Sequence, residues 1–365
     1  MRRYRILPLL LVVLLCGCMV TGNKQQTGLA KKYTFDAMEV SLDIGLDENQ
    51  TLSLWDAWGD HLLFTISDKT VYEDKATAIH YTCAVMIFNA ATGEVETVWI
   101  PENIMFIQSA VLSSDNSVIC NALLEIEDPT GVADTIISFN EKQMILKQMD
   151  AYLDRPRRLE DGTILIPYKA STEDGVACGV VCYRDGAETD DYAFLNEEMT
   201  ISSLEVLDSQ LCYVCEEDGK SYFVTADAQG EIYRNEFTPQ SEKITDFCLT
   251  ANGVLACMES ESGYQYVLMK PDGERVTMDA PGTNSALYRL NANRVAVLAV
   301  NYEFRQFALT YSEGELNLTE NPCGSEIASH YLGAISTFVA DENTFYVYCG
   351  DNLKLFRIDT IVSEE

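Results

Sequence analysis

Positive charge is scarce in this sequence: 25 Lys and Arg stand against 57 Asp and Glu, for a net charge of −32. That balance argues against nucleic-acid binding and against a polybasic membrane patch, because phosphate contacts need clustered Lys and Arg. Histidine is nearly absent, with His61, His80 and His330 alone. None forms a zinc-protease helix motif, and their spacing defines no His/carboxylate metal set. A Gly-x-Ser-x-Gly nucleophile elbow and a phosphate-binding glycine loop are also missing. The 9 prolines are few, yet no long helical pattern develops from Tyr33 onward. Past the first 17 residues no stretch is long and apolar enough to cross a membrane. Apolar residues are plentiful at 47%, too many for a disordered acidic chain. At 365 residues, one large all-β domain or two or three ordinary domains fit the length.

Residues 1–17 read as an export signal. Arg2, Arg3 and Arg5 make the charged start, and Ile6 to Leu15 make an apolar run, interrupted by Pro8, that is too short to span a bilayer. Leu15-Cys16-Gly17-Cys18 follows and resembles the lipobox of bacterial lipoproteins. The resemblance implies cleavage before Cys18, lipidation of its sulfur (palmitate among the acyl chains) and a lipid anchor on the extracytoplasmic face of the cell membrane. The plainer alternative is an ordinary signal peptide with two incidental cysteines. Residues 18–32, rich in Thr, Gly, Asn, Gln and Lys, then read as a flexible tether to a domain over 33–365.

Ten further cysteines remain, and export permits disulfides. Cys178 with Cys182, and Cys212 with Cys215, have spacings like metal or redox pairs but sit in strand-like apolar runs, so buried free thiols are favoured. Phe247 to Cys257 reads as a hairpin turning on Asn252-Gly253. Pairing Ala251 with Val254 then places Cys248 directly opposite Cys257, with Cα atoms about 4.5 Å apart, as neighbouring thiols.

Short runs rich in Val, Ile, Tyr, Phe and Thr recur, among them Val85–Phe88, Thr135–Phe139, Val180–Tyr183, Tyr222–Thr225, Tyr266–Met269 and Phe307–Thr310. Each reads as a strand followed by a tight turn. A second set of turns precedes each run: Gly59-Asp60, Asp115-Asn116, Asp161-Gly162, Asp208-Ser209, Asn252-Gly253, Asn291–Asn293 and Glu342-Asn343. Both sets repeat roughly every 40 to 55 residues, the period of a four-stranded propeller blade. Seven turns of one kind against six of the other leave the last unit, Thr344 to Ile358, short of a fourth strand. The partly alternating Tyr33–Ile44 would supply it. The expected fold is all-β, a single seven-bladed β-propeller closed by the N-terminal strand; six or eight blades, or a set of smaller sandwiches, are the alternatives.

The stretch Val85-Met86-Ile87-Phe88-Asn89-Ala90-Ala91-Thr92-Gly93-Glu94-Val95, with Trp99 beyond, resembles the quinoprotein-type (PQQ-like) repeat. Asn89 stands where that family carries Asp, and Trp99 lies further from the turn than the pattern has it. Residues 270–274 and 227–231 are weaker echoes. The resemblance implies a propeller and not the quinone cofactor.

On a propeller, ligands usually meet the loops at one face or the mouth of the channel. Three places there are candidates for ligand binding: His80 and Tyr81 in a long inner loop, the basic connection containing Arg155, Arg157 and Arg158, and His330 with Tyr331 in the last connection. The guanidinium cluster suits a carboxylate, a sulfate or a sugar acid, or else pairs internally with Asp154, Glu160 and Asp161. Trp55, Trp58, Tyr288 and Tyr302 could stack on a ligand or fill space between blades. The reading is a non-catalytic binding or scaffolding module for an unidentified protein or glycan, with no catalytic residue, metal or cofactor assigned. The alternative is a glycan-active enzyme with carboxylates and Arg at the channel mouth, and behind it a redox enzyme using a quinone.

Overall fold

The computed structural model describes residues 31–71, 78–114, 117–125, 131–173, 175–238, 242–261, 263–281, 285–291, 296–301, 306–321, 335–341, 343–350 and 353–364. The fold is all-β, and it is a β-propeller. The strands form seven antiparallel sheets in chain order, over residues 50–99, 104–149, 152–189, 199–237, 243–279, 285–321 and 335–364. Among the described residues the one helix is a single turn, Leu195–Glu198, and no helix is long and apolar enough to cross a membrane.

In each sheet the first strand is innermost and the next strands step outward as a meander. The innermost strands are Gln50–Trp58, Ile104–Ser114, Tyr152–Leu153 with Arg157–Arg158, Met199–Leu207, Lys243–Thr250, Ser285–Asn291 and Ile335–Val339. Each touches the innermost strand of the next sheet, and the seventh touches the first, so they enclose an axis. Six sheets are uninterrupted. The third is irregular: Pro156, which has no N–H to donate, lies in the gap that splits its inner strand, and its outer strand, Ala187–Thr189, is three residues long.

The last sheet has only three strands of its own, and Lys31–Val40 completes it as the outer strand, antiparallel to Lys354–Glu364 from Lys31 opposite Glu364 to Val40 opposite Leu355. Phe35 locks this clasp by meeting Phe345 edge to face, with centroids 6.5 Å apart.

The core is divided into seven apolar clusters, one between each pair of neighbouring sheets. One joins Leu54, Phe64 and Phe88 of the first sheet to Phe338, Tyr346 and Tyr348 of the seventh. Another joins Val111 and Ile136 to Ile164 and Val181. Both faces of every sheet are therefore covered, which is why the middle strands read as unbroken apolar runs: all six residues of Thr344–Cys349 are buried. The outer strand Lys142–Met149 has no buried residue. Trp99 ends the outer strand of the first sheet by stacking on Phe139 of the second, centroids 5.4 Å apart, and donating Nε1–H to Gln143 at 3.1 Å.

The expected hairpin register is corrected here. Thr250 lies opposite Gly253 and Leu249 opposite Val254, so the turn residues are Ala251 and Asn252. Cys248 consequently faces Leu255, and Cys257 lies opposite Asp246. The two thiols still share one apolar cluster, as diagonal neighbours and not as a directly opposed pair. Gly253 belongs to the strand because a Cβ there would come within 2.1 Å of the Met269 carbonyl oxygen, and its φ of +130° suits glycine.

Candidate functional site

The site lies on the axis. A cavity of about 300 Å³ is lined by at least one residue from every innermost strand or its immediate flank, including Asp56, Val111, Arg155, Glu205, Asp246, Tyr288 and Phe338. Four guanidinium groups (Arg155, Arg157, Arg158 and Arg289) and three carboxyl groups (Asp56, Glu205 and Asp246) face it.

Of the arginines expected in a connection between blades, Arg157 and Arg158 form the second piece of the third sheet's broken inner strand, and Arg155 lies beside Pro156 in the gap between the two pieces. Pro156 and the polar run obscure the strand in the sequence, yet a strand facing an open channel has no need of apolar side chains. Their partners also differ from the sequence neighbours expected. Arg157 donates Nη2–H to Glu205 at 2.9 Å, Nε–H to the Leu204 carbonyl at 3.1 Å and Nη1–H to the Arg155 carbonyl at 3.2 Å. Arg158 reaches Asp56 at 3.3 Å and the Leu112 carbonyl, and its guanidinium lies 4.3 Å from the centroid of the Trp58 ring. Asp161 is engaged by Arg184 at 3.1 Å instead, and Asp154 receives the backbone N–H of Arg155. Asp56 and Asp246 share one further device: each accepts the backbone N–H of the next inner strand, Leu112 at 3.0 Å and Leu287 at 2.7 Å. These carboxylates stitch neighbouring sheets together across the channel wall.

Arg155 differs from the other two. Among the described residues its side chain gives one hydrogen bond, to the Trp55 carbonyl at 3.3 Å, and its approach to Asp56 is 3.7 Å. Its guanidinium stands 4.8 Å from the centroid of Phe338. Though surrounded by protein, 38% of the side chain remains accessible, because it faces the open channel. Arg289 donates to the Val206 carbonyl and has no carboxylate partner among the described residues.

Burial shapes the electrostatics. It pulls the pKa of Arg155 down, assisted by the Arg157 guanidinium. For Arg157 burial acts the same way, but Glu205 and Asp154 more than offset it and the pKa rises. Burial pushes Asp246 up to about 6; the N–H of Leu287 opposes the shift and Glu205 adds to it. The Tyr288 phenol is pushed up by burial, with Arg155 opposing.

The other expected site residues are elsewhere. His80 lies opposite Lys69 and Tyr81 opposite Asp68, on the third strand of the first sheet, two strands out from the axis. They do not join the arginines. His330, Tyr331, Tyr302 and Cys18 lie outside the described residues. Cys178, Cys182, Cys212 and Cys215 are free thiols, and no group of His, Cys, Asp or Glu among the described residues could hold a metal ion. Asp56, Glu205, Asp246 and Arg289 escaped the sequence reading. A signal existed: Asp56, Arg158 and Glu205 each stand three residues before the first turn of their unit, at Gly59, Asp161 and Asp208.

No family model matches the chain, and no curated protein matches it. Among solved structures, a prolyl endopeptidase from a study of inter-domain dynamics in catalysis and specificity superposes with a TM-score of 0.52 at 13% identity, covering 84% of this chain and 48% of that one. This chain therefore spans about half the length of that protein. A catalytically inactive virginiamycin B lyase from Staphylococcus aureus with quinupristin gives a TM-score of 0.43 at 14% identity, over 90% of this chain and all of the other. Hsv2 of Kluyvelomyces marxianus gives 0.45 at 12%, over 78% and 88%. At such identities likeness concerns architecture alone, and the architecture is the β-propeller.

Proposed function

We propose that this chain is an extracytoplasmic lipoprotein, anchored through Cys18, whose seven-bladed propeller is a non-catalytic binding or scaffolding module for a protein partner or a glycan. The irregular third sheet counts as a blade in this reading, because its inner strand takes its place in the ring. One observation carries it: Arg157 and Arg158 are held by Glu205, Asp56 and backbone carbonyls of adjoining sheets, so most of the channel's charge ties sheets to one another. A rigid ring presenting loops at its faces suits recognition.

The test uses the full chain expressed in a bacterial envelope. Cys18→Ala should move it from the membrane fraction to the soluble fraction, and a pull-down of the wild-type chain should recover one partner or glycan reproducibly. A Cys18→Ala chain that stays in the membrane fraction refutes the anchor; a pull-down with no specific capture refutes the module. A glycan-active enzyme is the second reading, favoured by Asp246, whose elevated pKa suits a proton donor in the channel. Release of new reducing ends from glycans, abolished by Asp246→Asn, would establish it instead.

A further inference from the structure

The channel's hydrogen-bonding capacity is unevenly spent. Arg157 uses all three guanidinium nitrogens, and Arg158 is divided between Asp56, a carbonyl and the Trp58 ring. A guanidinium has five N–H donors. Among the described residues Arg155 commits one, and the Asp56 carboxylate that approaches it is already shared with Arg158. Beside it Tyr288 lines the same cavity, its phenol near enough to Arg155, Asp246 and Glu205 to feel their charges. Arg289 adds a fourth positive charge with no paired carboxylate among the described residues. These groups converge on about 300 Å³, the low end of the range for ligand pockets, which suits a ligand of about one ring.

The acidic side chains decide the class of ligand. A bare inorganic anion in this space would set its oxygens against Glu205 and Asp246 as well as against the arginines. A molecule that carries hydroxyls as well as a carboxylate meets both demands: its carboxylate takes the free fork of Arg155, and its hydroxyls donate to Glu205 and Asp246. We propose that the axial channel holds a small hydroxylated carboxylate, of the size and polarity of one sugar acid, gripped by Arg155 with Tyr288 alongside. Arg157 and Arg158 belong to the wall and do not grip it. This inference extends the binding-module reading into the channel, and the two fail separately: a chain that captures a partner yet binds no such acid refutes the channel ligand alone.

The experiment is calorimetric titration of the full chain with D-glucuronate, D-galacturonate and D-gluconate, with D-glucose and sulfate as comparisons at equal ionic strength. At least one acid should bind at least tenfold tighter than glucose and sulfate. Arg155→Met should weaken it at least tenfold and Tyr288→Phe severalfold, whereas Arg184→Met, on the outer surface, should leave it unchanged. Sulfate binding as tightly as the acids overturns the proposal, as does an acid affinity indifferent to Arg155→Met. Should Arg155→Met fail to fold, Tyr288→Phe decides, since it removes one oxygen atom: unchanged affinity there is refutation.

Discussion

Replacing Asp56 by alanine should loosen the ring more than removing any single surface charge. Asp56 is 7% exposed. One carboxylate oxygen accepts the Leu112 N–H at 3.0 Å and meets Arg158 at 3.3 Å, and the other stands 3.7 Å from Arg155. Alanine strands a buried N–H, at a cost of about 1–3 kcal/mol. It also leaves two guanidinium groups without their carboxylate; removing one partner of a fully buried pair costs about 3–5 kcal/mol, and the partial access of both arginines puts this case below that range. The combined loss is on the order of 4 kcal/mol, a drop in Tm of about 8 °C at the 2 °C per kcal/mol that suits a chain of this size. Asp56→Asn keeps an acceptor for Leu112 and should lose about half as much. Glu236→Gln is the comparison: its partner Lys220 lies 2.8 Å away, with both side chains about half exposed, so solvent screens away most of the attraction between them. Differential scanning calorimetry of the three variants measures the series. An Asp56→Ala chain melting within about 1 °C of the wild type, or no lower than Glu236→Gln, would show that the channel carboxylate does not tie the sheets together.

Asp246 gives a pH signature. Its pKa is raised to about 6 in the folded chain, so its contribution to stability is complete below the ordinary carboxylate value and is lost as pH climbs through about 6. Wild type compared with Asp246→Asn in urea unfolding should therefore lose up to about 3 kcal/mol between pH 4 and 7; a constant difference across that window refutes the shift. Gly253→Ala should destabilise by more than about 2 kcal/mol, since both its φ and the Met269 carbonyl oppose a Cβ. Gly179→Ala should cost less in the same chemical melt, because the atoms it meets, Asn196 Oδ1 and the Tyr168 ring, end side chains that can move. Phe35→Ala should cost about 3–5 kcal/mol and speed amide exchange in Lys31–Val40 first. Burial raises Cys182 to about 12 and Cys349 to about 11, so iodoacetamide at pH 8 should label the half-buried Cys83 ahead of them; mass spectrometry of the native chain reads the order.

Architecture was readable because the middle strands are covered on both faces. Val85–Phe88 is an apolar run for that reason, and the turns that bound it recur with each sheet. The clasp was readable from counting: a last unit with three strands demands a fourth, and Lys31–Val40 provides it. Two features escaped because their cause is tertiary. Asn252-Gly253 looks like a turn, but Gly253 is dictated by the carbonyl of Met269, sixteen residues on, and that contact shifts the register by two. Arg155 to Arg158 looks like a surface connection because a strand is expected to be apolar. On the axis a strand has open channel on its inner side, and polar residues belong there. The partners Asp56 and Glu205 could not be paired with those arginines by proximity in sequence, since each comes from a different sheet.

Pairing the first and last described strands in one sheet has a mechanical outcome. Lys31 and Glu364 are the terminal rungs of one ladder at the outer rim. A pull directed outward through the segment before Lys31 reaches that ladder at its end, so its hydrogen bonds would break in succession, as a zip opens, instead of sharing the load. The clasp should therefore release at low force while the other sheets hold, and single-molecule pulling from residue 30 would register a small early step before the main unfolding event.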